Sequence, residues 1–344
     1  MTAVSELSSA ETAVPAAIAV DTVLRVENLS VAFGRKGERQ ALTDVSLTLC
    51  AGEVVALVGE SGCGKSLTAL SVMGLLPPEA RILGGSVTVC GHEVVGTSER
   101  QLRRYRGKLM GMVFQDAMVA LNPLQPVGRQ IDETLRIHTN LSRGSRRAKV
   151  IALLEAIGIP DPANRLRHLP HEFSGGLRQR IMIAMALIAE PRLVIADEPT
   201  TALDVTIQAQ ILEVLKSITQ SLGTAVLFIT HDMGVVAEIA DRVLVMYGGR
   251  VVEASDVVDV FSRPAHPYTD ALLHSVPRVD DARDVDLPAI PGSVPAPGAA
   301  PAGCPFRPRC ADATERCLTM PPLSTVLPNH EVACWHPHLA PENT

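Results

Sequence analysis

Aromatic residues are scarce in this chain of 344 residues, because one Trp, three Tyr and six Phe make up only 3% of it. Hydrophobic residues nevertheless account for 47% of the chain, so the core must consist mainly of Leu, Val, Ile and Ala. Such a core is typical of parallel strands that helices cover on both faces. The length is sufficient for one large domain and a smaller additional one.

Long apolar runs and an excess of positive charge are also missing. The longest apolar stretch is IMIAMALIAE at residues 181–190. It is about half the roughly 18 residues of a membrane-spanning helix, and we interpret it as a buried helix. The net charge of −6 argues against nucleic acid as a partner, because phosphate backbones bind basic surfaces. Glu6 and Glu11 stand where a secretion signal carries basic residues, which predicts a disordered leader over residues 1–21 and reduced cysteines.

Strand and helix patterns alternate along most of the chain. Strand-like segments begin near residue 22 and lead to an unbroken apolar run from Val54 to Val58, as expected of a buried parallel strand. Charged helical sequence fills residues 116–172, and the alternation then resumes. This order predicts an α/β fold with a largely parallel sheet and an inserted helical subdomain. Residues 277–344 hold 13 of the 25 prolines, which indicates a linker and a separate tail.

A phosphate-binding loop is predicted at GESGCGKS, from Gly59 to Ser66, between the buried strand and a helical pattern. Gly59, Gly62 and Gly64 let the backbone turn its amide N–H groups toward phosphates. Lys65 can reach the β- and γ-phosphates, and the Ser66 hydroxyl can ligate Mg²⁺. The alternative is a glycine-rich turn that binds nothing, but the placed Lys and Ser favour the phosphate loop.

Two further segments carry groups suited to nucleotide chemistry. LVIADEPT ends an apolar run with Asp197 and Glu198, of which the first can hold Mg²⁺ and the second can polarise an attacking water. FSGGLRQR opens a helix at Ser174, Gly175 and Gly176. These three residues form either an ordinary helix cap or a second anion site, which makes most sense over a nucleotide held by another subunit.

These segments together resemble those of ATP-binding-cassette (ABC) ATPases, over roughly residues 22–275. GESGCGKS resembles the Walker A loop, LVIADE the Walker B strand, and FSGGLRQR the signature motif. VFQD with Gln115 resembles the Q-loop, TALD with Asp204 the D-loop, and THD with His231 the switch-histidine loop. The signature departs from the commonest family form by ending in Leu177, and the D-loop departs by beginning with Thr201.

The resemblance implies an ABC-type P-loop NTPase core with an antiparallel β-subdomain, and two such cassettes that pack head to tail around two ATP molecules. Glu198, His231 and Gln115 would be catalytic, and Ser66, Gln115 and Asp197 would hold Mg²⁺. The implied ATP-binding residues are Phe33, which would stack on adenine, and Gly59, Glu60, Ser61, Gly62, Cys63, Gly64, Lys65, Ser66, Leu67, Ser174, Gly175, Gly176 and Asp204.

The region after residue 260 resembles the C-terminal extension of dipeptide and oligopeptide importer ATPases, through SRPAHPYTDALLHSVP and the cysteine tail. That resemblance implies a second, homologous ATPase subunit, two integral membrane permeases and an extracytoplasmic peptide-binding protein. It places the chain peripherally on the cytoplasmic face of the bacterial inner membrane. A nickel importer ATPase of the same family, a soluble ABC ATPase outside transport and a redox-regulated ATPase stay open as alternatives.

Four of the seven cysteines lie in this tail, at Cys304, Cys310, Cys317 and Cys334. Their spacing lacks the close pairs of a typical zinc site, whereas an iron–sulfur cluster tolerates varied spacing. The importer resemblance implies a [4Fe–4S] cluster on these four thiolates, with Zn²⁺ or unliganded cysteines as alternatives. Flanking residues that could assist are His330 and His336, as thiolate replacements, and Arg307, Arg309 and Arg316, as charge balance.

The predicted organisation therefore has four parts. A leader over residues 1–21 precedes an ABC ATPase domain over 22–262, which contains a helical subdomain at about 116–172. A helix and a proline-rich linker occupy 263–303, and a small Cys-rich iron–sulfur extension occupies 304–344.

Overall fold

The computed structural model describes residues 21–34, 37–116, 120–200, 205–275 and 290–338. Two sequence predictions fall outside these ranges: the leader, except for its last residue, and the D-loop with Thr201 and Asp204. All seven cysteines lie inside them.

The elements below are those of the described residues. The strands in chain order are β1 (Thr22–Phe33), β2 (Arg39–Cys50), β3 (Val54–Val58), β4 (Ala80–Val89), β5 (His92–Glu93), β6 (Met110–Val113), β7 (Leu193–Asp197), β8 (Ala225–Ile229), β9 (Arg242–Tyr247), β10 (Arg250–Asp256), β11 (Ser324–Leu327) and β12 (His330–Val332). The α-helices are α1 (Lys65–Met73), α2 (Glu99–Tyr105), α3 (Val127–His138), α4 (Arg143–Ala156), α5 (Pro162–Arg165), α6 (Gly175–Leu187), α7 (Val205–Leu222), α8 (Met233–Ile239), α9 (Val257–Ser262) and α10 (Pro267–His274).

An antiparallel sheet of four strands, in the order β2-β1-β4-β5, forms one layer of the molecule. Alternating residues of β1 point into the core, as in the buried Leu24 and Val26 beside the exposed Arg25, because successive side chains of a strand point to opposite faces. Phe33 ends β1 and pairs with Arg39 and Ala80. The sheet thereby fixes the residue predicted to stack on adenine.

A sheet of eight strands, in the order β11-β12-β10-β9-β3-β8-β7-β6, forms the centre. The strands from β9 to β6 run parallel, and every residue of β3, β7 and β8 is buried, as both-face coverage requires. In such sheets ligands bind at the carboxyl ends of the strands. The phosphate loop follows β3, the acidic pair ends β7, and His231 follows β8, so all three reach the same edge.

Helices α3, α4, α5 and α6 form a layer with its own apolar cluster. Leu135, Leu154, Phe173 and Ile181 are among its buried members. The second half of α6 also packs against β6 and β7 through Met182 and its neighbours. This layer corresponds to the charged helical sequence and carries the signature segment at its edge.

The tail does not form a separate core. Strand β12 pairs with β10 of the central sheet, with Glu253 opposite Val332, and β11 completes the hairpin. Phe306 packs edge-on against Tyr247 and lies 5.3 Å from the ring of Tyr268. A segment with few apolar residues is thus stabilised by the apolar surface of the ATPase domain. Among the residues that the structure describes, no helix is both long and apolar enough to cross a membrane.

Candidate nucleotide-binding site

The phosphate loop adopts a backbone path that glycine favours. Gly59 has a φ of 145° and Gly64 a φ of 113°, values that side-chain-bearing residues rarely adopt. A Cβ on Gly59 would lie 2.3 Å from the carbonyl oxygen of Met246, and one on Gly64 would lie 2.6 Å from the Leu42 side chain. Close approach to β9 and β2 therefore requires glycine at both positions.

Gly59→Ala is expected to raise the dissociation constant of Mg·ATP by roughly 10–30-fold, since backbone strain of about 1.4–2 kcal/mol would displace the loop. Gly62→Ala is the matched control: Gly62 has a φ of 83°, but a Cβ added to it would meet no neighbouring atom within 4 Å. It should raise the constant by only about fivefold. Equilibrium titration with a fluorescent ATP analogue measures both, and equal losses would contradict the steric explanation.

The ammonium group of Lys65 closes the loop on itself. Its Nζ donates hydrogen bonds to the carbonyl oxygens of Gly59 at 2.7 Å and Glu60 at 3.0 Å, and the residue is only 5% exposed. Helix α1 starts at this residue, so its N-terminal amides and the ammonium lie together. The arrangement concentrates positive charge where phosphates would bind.

Ser66 and Asp197 provide neighbouring oxygen ligands across the sheet edge. The Ser66 hydroxyl donates to Oδ1 of Asp197 at 3.2 Å. Burial raises the pKa of Asp197, the hydrogen bond from Ser66 opposes that shift, and the charge of Glu198 adds to it. A hard cation such as Mg²⁺ prefers a hydroxyl and a carboxylate of this kind, so this pair fits the metal that ATP carries.

Glu198 is held between two polar side chains at the mouth of the cleft. Nε2 of Gln115 donates to its Oε2 at 2.9 Å, and Nδ1 of His231 donates to its Oε1 at 3.1 Å. Its backbone has a φ of 48°, a strained conformation for a residue other than glycine. Asp232 caps α8 by accepting from the amides of Gly234 and Val235, which fixes the residue before it, His231.

A cleft of about 300 Å³ lies beside these groups. The residues that line it are Phe33, Ala41, Ser61, Gly62, Gly64, Lys65, Ser66, Leu67, Gln115, Glu198 and Pro297. Cys63 is fully buried in the main apolar core. Ala41 and Pro297 were missed from the sequence, because nothing in either segment marks it as part of a nucleotide cleft.

The signature residues stand apart from this cleft within one chain. Ser174 is the N-cap of α6, and its side chain makes no capping hydrogen bond. Ser174 and Gly175 are exposed, and Gly176 is half-buried. The structure thus does not bring these three residues to the chain's own phosphate loop.

The four tail cysteines surround one small cavity. Cys304, Cys310, Cys317 and Cys334 all line it, and none of them forms a disulfide. Burial raises the pKa of Cys304 and Cys310, and raises that of Cys334 to about 11, with neighbouring cysteines adding to each shift. Burial therefore favours the neutral thiol form of Cys304, Cys310 and Cys334.

The predicted [4Fe–4S] cluster and its Zn²⁺ alternative receive no direct support. Over the described ranges, no three His, Cys, Asp or Glu side chains form a group that could hold a metal ion. His330 contacts Glu253 rather than the cysteines, and His336 lines the cavity but is hydrogen-bonded to Thr314 at 2.8 Å. Arg309 pairs with Glu60 and not with the cysteine group, and Arg316 lies over Trp335.

One buried donor on the cavity wall lacks a partner. Nδ1 of His266 accepts a hydrogen bond from the Tyr268 amide at 3.0 Å. Burial lowers the pKa of His266 to about 4, against an opposing effect of Glu253, so the ring is neutral and Nε2 carries its proton. This Nε2 has no hydrogen-bond partner among the described residues. Buried donors are normally paired, so this Nε2–H is an exception beside the cysteine cavity.

Two protein-family models match the chain. The model for "ABC transporter" matches residues 42–201, and the model for "Oligopeptide/dipeptide transporter, C-terminal region" matches residues 252–317. The first span contains the phosphate loop and the acidic pair. The second contains α10 and three of the four tail cysteines.

Proteins with similar sequences and a solved structure agree with these matches. The chain is 50% identical over 318 residues to the "Probable peptide ABC transporter ATP-binding protein y4tR" of Sinorhizobium fredii, covering 92% of this chain and 95% of that one. It is 46% identical over 332 residues to the oligopeptide transport ATP-binding protein OppD of Salmonella typhimurium, covering 96% and 98%. The dimeric, post-hydrolysis structure of the ATP-binding cassette MJ0796 with ADP and phosphate superimposes with a TM-score of 0.61 at 27% identity, over 68% of this chain and 98% of that one. The chain is an ATPase that belongs to the ATP-binding subunits of ABC transporters, in the group with the oligopeptide/dipeptide transporter C-terminal region.

Proposed function

We propose that this chain powers the import of dipeptides or oligopeptides by hydrolysing ATP at the cleft beside Lys65 and Glu198. The identification of peptides as the cargo rests on the C-terminal region, which matches the oligopeptide/dipeptide family over residues 252–317. The relatives named for peptide transport match over more than nine-tenths of the chain, so the likeness extends past the ATPase domain. Peptide selectivity would reside in other subunits.

The proposed roles follow from the positions of the side chains. Lys65 and the amides at the start of α1 bind the β- and γ-phosphates, while Phe33 faces the base. Ser66, Asp197 and Gln115 would hold Mg²⁺, which would neutralise charge that develops on the phosphates. The remaining steps of hydrolysis use side chains of this chain and the attacking water.

Glu198 acts as the general base that takes a proton from the attacking water. His231 and Gln115 hydrogen-bond to its two carboxylate oxygens, and the Glu198 side chain lines the cleft. Carboxylates placed within hydrogen-bond reach of water accelerate proton transfer by roughly 10²–10⁴-fold. Water orientation and phosphate binding therefore depend on residues that four separate strands, β3, β6, β7 and β8, bring to one edge.

The signature residues Ser174, Gly175 and Gly176 are proposed to close over the nucleotide of a second, homologous cassette, and Asp204 to contact that cassette. Their exposure and their distance from the chain's own cleft support this assignment for the signature residues. The complete assembly would also contain two membrane permeases and an extracytoplasmic peptide-binding protein. The chain would lie peripherally on the cytoplasmic face of the inner membrane.

Co-expression with two peptide-importer permeases and a homologous second cassette, followed by reconstitution in lipid vesicles, tests this function. Peptide and binding protein together are expected to stimulate ATP hydrolysis and to drive peptide uptake. Stimulation by Ni²⁺ instead of peptides would assign the nickel-import alternative. Hydrolysis that responds to neither, with no membrane subunit co-purifying, would contradict transport.

We also propose that the tail cysteines hold a [4Fe–4S] cluster within the predicted extension 304–344. The four thiols share one cavity with His266, whose buried Nε2–H has no hydrogen-bond partner among the described residues. The domain boundaries after residues 262 and 303, which separate the ATPase domain, the linker and this extension, are proposed as well.

Anaerobic purification tests the cluster. About four iron and four acid-labile sulfide per chain are expected, with visible absorbance from thiolate-to-iron charge transfer. Cys310→Ser should lose most of the iron, whereas Cys50→Ser, which changes a cysteine in β2, should retain it. One zinc per chain, or metal-free protein with a native fold, would overturn the assignment.

A further inference from the structure

The tail makes direct contact with the phosphate loop through Glu60. Nη1 of Arg309 donates to Oε2 of Glu60 at 2.6 Å, and Nη2 donates to Oε1 at 3.0 Å. The two residues are 249 positions apart in the chain. This bidentate pair is the strongest geometry for an arginine and a carboxylate, and it joins the segment before Cys310 to the loop that binds ATP.

Arg309 is held rigidly on all sides. Its Nε donates to the Pro291 carbonyl at 2.7 Å, Nη2 to the Ile290 carbonyl at 3.2 Å, and Nη1 to the Tyr247 hydroxyl at 3.2 Å. With the two bonds to Glu60 these use five N–H groups, the full number that a guanidinium carries. The side chain is 5% exposed. Its rotamer is thus set by the tail and β9 before any nucleotide binds.

Tyr268, which also lies beyond the predicted ATPase domain, contacts Glu60 as well. The backbone amide of Glu60 donates to the hydroxyl of Tyr268 at 2.9 Å. Tyr268 follows Pro267 in the first turn of α10 and is fully buried, with its ring 4.7 Å from that of Tyr247. Burial strongly raises its pKa, so the hydroxyl stays neutral.

Glu60 is consequently fixed at its carboxylate, its amide and its carbonyl, the last of which accepts from Lys65. Its amide and carboxylate are bound to tail and α10 groups, and the residue does not line the cleft. The family resemblance implied that Glu60 binds ATP, and its hydrogen bonds support a role in holding the loop. An unpaired carboxylate here would repel a triphosphate, and the Arg309 charge cancels that repulsion.

We propose that Arg309 is a positioning residue for ATP binding, which neutralises Glu60 and, with Tyr268, holds the phosphate loop in its binding conformation. The C-terminal region then contributes to nucleotide affinity without contacting the nucleotide. This role rests on the proposed binding of ATP at the cleft beside Lys65, and it is independent of whether the cysteines hold a metal.

The Arg309→Met variant of the full-length chain tests the role. The dissociation constant of Mg·ATP and the KM for ATP are expected to rise about tenfold, while kcat stays within about twofold. In Glu60→Gln/Arg309→Met the repelling charge is absent, so the constant should return to within about threefold of the wild-type value. Recovery of this kind follows from charge compensation and not from general loss of structure.

Arg263→Met provides the matched control. Arg263 also lies beyond the central sheet, and its hydrogen bonds among the described residues go to Asp259, so ATP affinity should not change. Emission of Trp335, the single tryptophan, shows whether the tail stays docked. If the tail of Arg309→Met is not docked, the same measurements are made on Arg309→Lys. Its dissociation constant for Mg·ATP is expected to rise about threefold. Unchanged affinity in a docked variant, or no recovery in the double variant, would overturn the proposal.

Discussion

Glu198→Gln is expected to hydrolyse ATP roughly 10²–10⁴-fold more slowly than the wild-type chain. The amide cannot accept a proton from water at neutral pH, although it has nearly the same size and shape as the carboxylate. The Glu198 side chain is 12% exposed and hydrogen-bonds to Gln115 and His231. Lys65 and the loop amides are unchanged, so the dissociation constant of Mg·ATP should stay within about twofold.

Single-turnover hydrolysis and equilibrium ATP titration separate these two quantities. Glu190→Gln is the matched control, because Glu190 also has a positive φ, of 54°, but forms its ion pair with Lys149 on the helical layer. It should retain full turnover. Turnover of Glu198→Gln within threefold of the wild-type rate would remove Glu198 from the role of general base.

The phosphate loop and the acidic pair were predictable because each is a short, contiguous segment. Gly59 to Ser66 carry their own turn chemistry, and a strand of apolar residues precedes Asp197. The parallel arrangement also followed from strand–helix alternation, and parallel strands place their carboxyl ends on one edge. Local pattern and sheet geometry together therefore specify the ATP side of the site.

Contacts between distant segments could not be predicted in this way. Nothing in the tail sequence indicates that β12 pairs with β10, or that Arg309 turns toward Glu60 instead of the cysteines. Such contacts depend on how apolar surfaces pack, and here the rings of Tyr247, Tyr268 and Phe306 set the path of the tail. From charge and spacing alone, Arg309 was predicted to balance the charge of the nearby tail cysteines, whereas in the structure it pairs with Glu60.

The contact that anchors the tail most deeply is the buried hydrogen bond between Glu253 and His330. Both side chains are 0% exposed, and Nε2 of His330 donates to Glu253 at 2.7 Å. The Glu253 carboxylate also accepts from the backbone amides of Ala265 and His266, each at 2.8 Å. One carboxylate of β10 thus binds β12 and the segment that leads into α10.

The pH dependence of this anchor follows from the same contacts. Burial raises the pKa of Glu253, but the hydrogen bonds from His330 and the two amides outweigh it, so the pKa lies below its ordinary value of 4.5. A carboxylate whose pKa is lower in the folded state stabilises the fold fully above the unfolded value. Its contribution is lost as the pH falls below about 4.5, and the tail should detach in acid.

Glu253→Gln is expected to lower the free energy of unfolding of the docked tail by about 3 kcal/mol, because a buried donor that loses its acceptor costs about 1–3 kcal/mol, and more where the acceptor was charged. A glutamine offers one carbonyl oxygen and one NH₂ group to three buried donors, so at least one N–H would face another N–H. Urea titration followed by Trp335 emission measures this directly, because the single tryptophan lies in the tail. Asp259→Asn, which removes the more exposed pair with Arg263, should cost less than about 1 kcal/mol. A loss in Glu253→Gln no larger than in that control would show that packing around Phe306 docks the tail without the buried carboxylate.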